Sequence, residues 1–248
     1  MKKDIKHKIL VYGVNPVAEL VNSGATNITR IYMQDSSDKP ILQQIRSYAQ
    51  KHSIGVNSVS NKYIKNLVGD VAHQGVVALL RSFEYVEFNK WVESLDMSTN
   101  PAVLLLDEVQ DPHNVGAMIR SAAAFGLSGV ILPSHRQSPV TNAVFKSSAG
   151  TVMHIPVIKI GNVNQMLKKL KEMGFWIVGI HQDGHTKISE QKFDSPTVLI
   201  VGNEGYGIRQ KTLEMCDFTV QIPMSSEIES LNAAVSTGIA CYEWSRQQ

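Results

Sequence analysis

Apolar residues fall along this chain in two registers, short unbroken runs and stretches of helical spacing, and the two alternate almost from end to end. Ile9–Val11 reads as a strand, followed by Gly13, the turn pair Asn15-Pro16 and a short helix to about Val21. Ile28–Met33 is a second strand. Ile41, Leu42, Ile45, Tyr48 and Ala49 then mark one face of an amphipathic helix from Pro40 to His52. A strand near Ile54–Val59, a short helix near Lys62–Leu67 and a strand at Val76–Leu80 complete a small α/β unit. The pattern changes over 83–101, where Glu84, Glu87, Glu93 and Asp96 alternate with aromatics. This stretch predicts a short helix around Trp91 and then a linker running to Pro101.

From Ala102 the alternation is clearer. Apolar runs recur at Val103–Leu106, Val130–Leu132, Ile155–Ile158, Trp176–Ile180, Val198–Val201 and Val220–Ile222, most of them separated by helical stretches of ten to fifteen residues. Runs apolar on both faces mark buried strands, and strand–helix alternation marks a parallel sheet. The expected layout is a domain over 1–82, a linker over 83–101 and a second α/β domain over 102–248.

The 248 residues are 43% hydrophobic and 19% charged, ordinary for a globular chain. No run approaches the ~18 apolar residues of a membrane span, and the basic start MKKDIKHK is not followed by a signal-peptide core. Cys216 and Cys241 are too few for a disulfide framework or a thiolate metal site, so a reducing cytoplasm is expected. The histidines lie at no metal-ligand spacing, and no metal is expected. The net charge of +2 is unevenly spread, with ten Lys/Arg against five Asp/Glu in residues 1–80 and near neutrality beyond 100. A basic first segment suits a polyanionic partner, although on charge alone a solvated lysine-rich surface is the simpler explanation, and Lys2, Lys3, Lys6 and Lys8 could form a tail.

Ligands of open α/β sheets sit outside the carboxyl ends of the strands, and three such loops concentrate the polar chemistry. In the first, Asp107 to Ser121, Asp111 suits an N-cap and Pro112 the first helical position, which puts Asn114 in the first turn. Arg120, six residues on, lies about 240° further round the helix after one full turn, so the two do not share a face. The small residues Gly116, Ala117, Ser121 and Ala122–Ala124 suit close packing, within the core or between two chains. In the second loop, Gly202-Asn203-Glu204-Gly205-Tyr206-Gly207, three glycines follow a strand without dinucleotide-fingerprint spacing or a basic residue, which disfavours a nicotinamide-dependent oxidoreductase and a phosphate cradle. Glu204 is either a ligand or a helix-start acid. The third runs from Ile222-Pro223-Met224 into a final helix near Ser230, with Ser226 and Glu229 as a possible capping box and Asn232 followed by two alanines.

Together the stretches Asn114-Val-Gly-Ala-Met-Ile-Arg120, Leu199-Ile-Val-Gly202-Asn-Glu204-Gly205-Tyr-Gly207 and Ile222-Pro-Met with Ser230-Leu231-Asn232-Ala-Ala resemble the three motifs of the SpoU/TrmH family of RNA ribose 2′-O-methyltransferases. Val11-Tyr-Gly13-Val-Asn15-Pro-Val with Glu19, and His73-Gln-Gly-Val-Val-Ala78, resemble the family's amino-terminal substrate-binding domain, so the likeness covers nearly the whole chain. Asn15 stands where several members have histidine. The two-domain layout is most similar to members that methylate a guanosine ribose of 23S ribosomal RNA.

The resemblance implies an α/β fold with a trefoil-knotted carboxy-terminal parallel-sheet domain, S-adenosyl-L-methionine as cofactor, a ribosomal RNA substrate and a homodimer. It carries over Gly202, Ile222 and Leu231 as cofactor contacts and Asn114, Arg120, Glu204, Ser230 and Asn232 as catalytic residues. The family role of the arginine, general base, sits awkwardly with a group that normally stays protonated. The alternative is that Arg120 orients an RNA phosphate and stabilises the developing alkoxide. Rival readings are a transfer-RNA methyltransferase of the same family and an RNA-binding relative that has lost catalysis.

Overall fold

The computed structural model describes residues 9–22, 24, 27–34, 40–225 and 230–248. The lysines at 2, 3, 6 and 8 and the capping box expected at Ser226 and Glu229 lie outside the described residues. The chain divides into two compact units, residues 1–84 and 85–248.

In the first unit, β1 (Ile9–Tyr12), β2 (Ile28–Met33), β3 (Gly55–Ser58) and β4 (Val76–Leu80) form a sheet in the order β1-β4-β2-β3. Strand β4 runs antiparallel to both neighbours, and β2 and β3 are parallel. Helices α1 (Val14–Asn22) and α2 (Pro40–Lys51) bury Val17, Leu20, Ile45 and Ala49. Helix α3 (Asn61–Val68) packs Ile64 against Leu10, Tyr32, Val77 and Leu79. Asn15-Pro16, expected as a turn, lies inside α1. The first turn of a helix has no intrahelical use for its N–H groups, so proline fits there without cost.

The second unit opens with α4 (Phe88–Glu93). Its main sheet comprises β5 (Ala102–Asp107), β6 (Gly129–Pro133), β7 (Val157–Ile160), β8 (Trp176–Ile180), β9 (Thr186–Lys187), β10 (Thr197–Gly202) and β11 (Phe218–Gln221). The order is β7-β6-β5-β10-β8-β11-β9, parallel throughout. Helices α5 (Pro112–Ala124), α6 (Asn142–Ser147), α7 (Val163–Glu172), α8 (Gln210–Leu213) and α9 (Ala233–Ser245) complete it. Strand β5 is buried at every position, and its Leu105 joins Ile131, Ile158, Leu167, Ile177 and Ile200 in one core. The run expected at Ile155–Ile158 pairs two residues later, because Pro156 has no N–H to give the ladder.

The segment expected as a linker is largely part of this second core. Trp91 is fully buried, its indole N–H donates to the Ser128 carbonyl at 2.9 Å, and Val86 N–H donates to Val157 O. Gly129 makes room for it, since a Cβ there would stand 2.8 Å from Trp91 Nε1. The alternation of acids and aromatics in this stretch is therefore the signature of a strap with one face inward. Gly116 likewise serves packing within the chain: a Cβ there would lie 1.9 Å from Ser147 Oγ of α6.

The order places the site. From β5 the chain steps outward through β6 to β7, and it then returns so that β10 lies against the other side of β5. The last residues of these two strands, Asp107 and Gly202, are register partners. The loops that follow them leave the sheet side by side at its carboxyl edge, where open α/β sheets bind ligands.

Candidate active site

The three loops meet through a chain of side-chain hydrogen bonds. Asp111 caps α5, accepting from His113 N at 2.9 Å with Pro112 at the first helical position, and this sets Asn114 in the first turn as the sequence predicts. Asn114 Nδ2 donates to Glu204 Oε1 at 2.7 Å, and Asn114 Oδ1 accepts from Asn232 Nδ2 at 3.1 Å. Asn232 is the N-cap of the last helix, which the sequence placed near Ser230. Its Oδ1 accepts from Ala234 N and Val235 N, and α9 begins at Ala233.

These bonds fix both carboxamides. The backbone N–H groups at the start of α9 can only donate, so Asn232 must present its oxygen to them and its NH2 to Asn114. Asn114, its oxygen taken by that NH2, must then present its own NH2 to Glu204. One helix cap thus orients three polar side chains drawn from sequence positions 114, 204 and 232.

Beside this chain lies a cleft of about 360 Å³, within the ~300–1,000 Å³ of small-molecule sites. Gly202, Ile222, Leu231, Ser230 and Glu204 line it, joined by Val201, Ile180, His181, Gln182 and Tyr206. Apolar side chains at Ile180, Val201, Ile222 and Leu231, set beside the polar glycine-rich loop 202–207, fit a flat heterocycle on a polar tail, which is the chemistry of S-adenosylmethionine. The loop is tightly folded: Asn203 and Gly207 exchange backbone hydrogen bonds at 3.0 and 2.9 Å, and Asn203 Oδ1 accepts from Gly205 N. A Cβ on Gly202 would lie 2.1 Å from the Gly207 carbonyl carbon and 2.2 Å from Ile208 N. Gly202→Ala therefore forces backbone apart. The expected loss is about 1–3 kcal/mol of stability, the range for overpacked sites, together with weakened binding of S-adenosylhomocysteine, read by melting curves and calorimetry.

Of the eight residues anticipated for the site, Arg120 alone stands apart. It is exposed on α5, and its side chain makes no hydrogen bond or ion pair with another described residue. Sequence reasoning missed a buried ionic cluster behind the loop. Asp107 and Glu108, 0% and 5% exposed, both pair with Arg209, at 2.6 and 3.1 Å. Burial opposes the charge of Arg209, yet the two carboxylates outweigh it and hold its pKa above the usual guanidinium value. Two adjacent acids ending an otherwise apolar strand were the available signal. Their partner, 102 residues away, was not.

Among the described residues no group of three or more His, Cys, Asp or Glu is placed to hold a metal. No helix among them is long and apolar enough to cross a membrane.

Comparison with other proteins decides the family. Residues 101–242 match the model of the SpoU rRNA Methylase family, and residues 10–86 match that of RNA 2′-O ribose methyltransferase substrate binding. The chain belongs to the SpoU methylase family. It is thus an S-adenosylmethionine-dependent RNA methyltransferase, with a substrate-binding domain ahead of the SpoU domain. It is 34% identical over 241 residues to a putative TrmH family tRNA/rRNA methyltransferase of Staphylococcus haemolyticus, covering 97% of this chain and 96% of that one. It is 36% identical over 244 residues to the 23S rRNA (guanosine-2′-O-)-methyltransferase RlmB of Xanthomonas campestris, covering 96% of each. The fold is that of the AdoMet-bound rRNA methyltransferase from Sinorhizobium meliloti, with a TM-score of 0.83 at 24% identity over 99% of this chain and 90% of that one.

Proposed function

We propose that this SpoU-family enzyme methylates the ribose 2′-OH of a guanosine in 23S ribosomal RNA. The observation that carries ribose chemistry is the Glu204–Asn114–Asn232 chain at the edge of the donor cleft. The choice of RNA is supported by full-length relatives named for that reaction and by the substrate-binding domain. A cytoplasmic location belongs to this reading, since ribosomal RNA is the target.

When bound, S-adenosylmethionine supplies a methyl group already activated on a sulfonium. Gly202, Ile222 and Leu231 would hold it through backbone groups and apolar contact, leaving the protein the tasks of orientation and charge management. Glu204 gives one carboxylate oxygen to Asn114, which leaves the other for a ribose hydroxyl. Ser230 lines the cleft beside it and offers a hydroxyl to the same sugar. The 2′ oxygen would gain the methyl carbon as its bond to sulfur breaks, leaving the neutral thioether S-adenosylhomocysteine, and the hydroxyl proton would pass to solvent. Arg120, with no ion-pair partner among the described residues, carries its charge to an RNA phosphate and to the oxygen on which negative charge develops.

The homodimer is part of this proposal. Val235 and Tyr242, 50% and 55% exposed and seven residues apart, lie along one stripe of α9. Such a stripe suits a second copy of the chain. So is the trefoil knot, which fits the return of β10 to the side of β5. The substrate assignment is tested with labelled donor and unmodified RNA: incorporation into 23S ribosomal RNA is expected, and incorporation confined to transfer RNA would overturn it.

A further inference from the structure

Glu108 combines two unfavourable features. Its φ of +63° lies in the left-handed region, which a residue with a Cβ rarely adopts, and its carboxylate is buried. Both persist only where the surroundings over-determine them. Apart from Arg136, whose Nη1 lies 4.0 Å from Oε2, the side-chain contacts that hold Glu108 come from residues 203–209. Its Oε2 accepts from the Tyr206 hydroxyl at 2.5 Å, its Oε1 lies 3.1 Å from Arg209 Nη1, and its backbone carbonyl accepts from Asn203 Nδ2 at 2.9 Å. Arg209 is itself fixed by Asp107, whose Oδ1 accepts from Nε at 2.9 Å and whose Oδ2 accepts from its backbone N–H at 3.0 Å. The end of β5 thus grips the loop that carries Glu204 and forms one side of the cleft.

Tyr206 shows what the grip achieves. The residue is 54% exposed and lines the cleft, although a free tyrosine on a glycine-flanked loop would be expected to swing into solvent. The bond to Glu108 pins it at the hydroxyl end. We propose that Glu108 and Tyr206 form a clasp that positions the 203–207 loop for methyl-donor binding, with the tethered ring as a fixed wall of the cleft. Both are positioning residues, and the inference rests on the reading of this cleft as the S-adenosylmethionine site. Burial first, and then the hydrogen bond to Glu108, push the Tyr206 phenol up to about 12, so the clasp keeps its proton throughout the physiological range.

The test uses the full chain with S-adenosylhomocysteine as probe. Tyr206→Phe keeps the ring and removes the tie. Its Kd for the probe, and its KM for the donor, should rise about tenfold, as for loss of one hydrogen bond to a charged group, with KM for RNA unchanged and the melting temperature lowered by only a few degrees. Glu108→Gln retains an acceptor for the hydroxyl and should rescue most of the loss seen in Glu108→Ala. Adding Tyr206→Phe to Glu108→Ala should weaken binding no further, since the two act through one bond. Tyr206→Phe that binds the probe like the wild type, or losses that multiply independently, would overturn the clasp alone. A wild-type chain that does not bind the probe would overturn the donor-site reading and the clasp with it.

Discussion

Arg120→Ala is expected to lower kcat by about 10²–10³-fold, the usual cost of removing a group that stabilises developing oxyanion charge. S-adenosylhomocysteine affinity should stay within about twofold of the wild type, because Arg120 is not among the residues that line the cleft. The contrast is with Gly202→Ala, which should damage donor binding first. Arg120→Lys restores the charge without the planar fork that matches phosphate oxygens, so it should recover only part of the rate. Single-turnover methyl transfer at saturating donor and RNA reads this directly. A large loss of donor affinity in Arg120→Ala would place the arginine on the cofactor and contradict the role given to it here.

Removal of residues 1–84 should separate capture from chemistry. Residues 1–80 hold twice as many basic as acidic side chains, whereas the remainder of the chain is slightly acidic overall. Phosphate neutralisation makes RNA affinity fall with salt by about 0.7–0.9 logarithmic units per contact per decade. The truncated chain should therefore bind a 23S fragment about 10²-fold more weakly near 0.1 M salt, with a shallower salt dependence. Donor binding should survive, since the cleft is lined wholly by residues of the second unit. Retained S-adenosylhomocysteine binding also serves as the folding control. Unchanged RNA affinity on truncation would assign capture to the SpoU domain itself.

The limits of sequence reading have physical causes that differ from element to element. The strand Val76–Leu80 was legible to the residue because an unbroken apolar run between Gly75 and Arg81 leaves little choice of bounds. Pro16 misled because its meaning depends on whether a helix has already begun at Val14. That Trp91 and its neighbours in 83–101 pack inward was not legible, because a strap packed on one face carries as many charges as a solvated connector. The two-residue strand β9 is too short to carry a period at all.

The site divides in the same way. Gly202, Glu204, Ser230, Ile222 and Leu231 were legible as loop residues at strand ends and prove to share one cleft. That Asn114 bonds to both Glu204 and Asn232 is a fact of 90 and 118 residues' separation, beyond any local pattern. The Asp107–Glu108–Arg209 cluster escaped for the same reason. Asp107 and Glu108 lie about a hundred residues from Arg209, and no local pattern links them.

The central claim is transfer to a ribose 2′ oxygen of guanosine in large-subunit RNA, and the most direct measurement is the identity of the labelled nucleoside. After reaction of the enzyme with labelled S-adenosylmethionine and unmodified 23S ribosomal RNA, complete alkaline hydrolysis should leave an alkali-resistant dinucleotide that carries the label on 2′-O-methylguanosine, since a methylated 2′ oxygen cannot attack the adjacent phosphate. Label released in alkali-sensitive mononucleotides, and so carried on a base, would contradict the account.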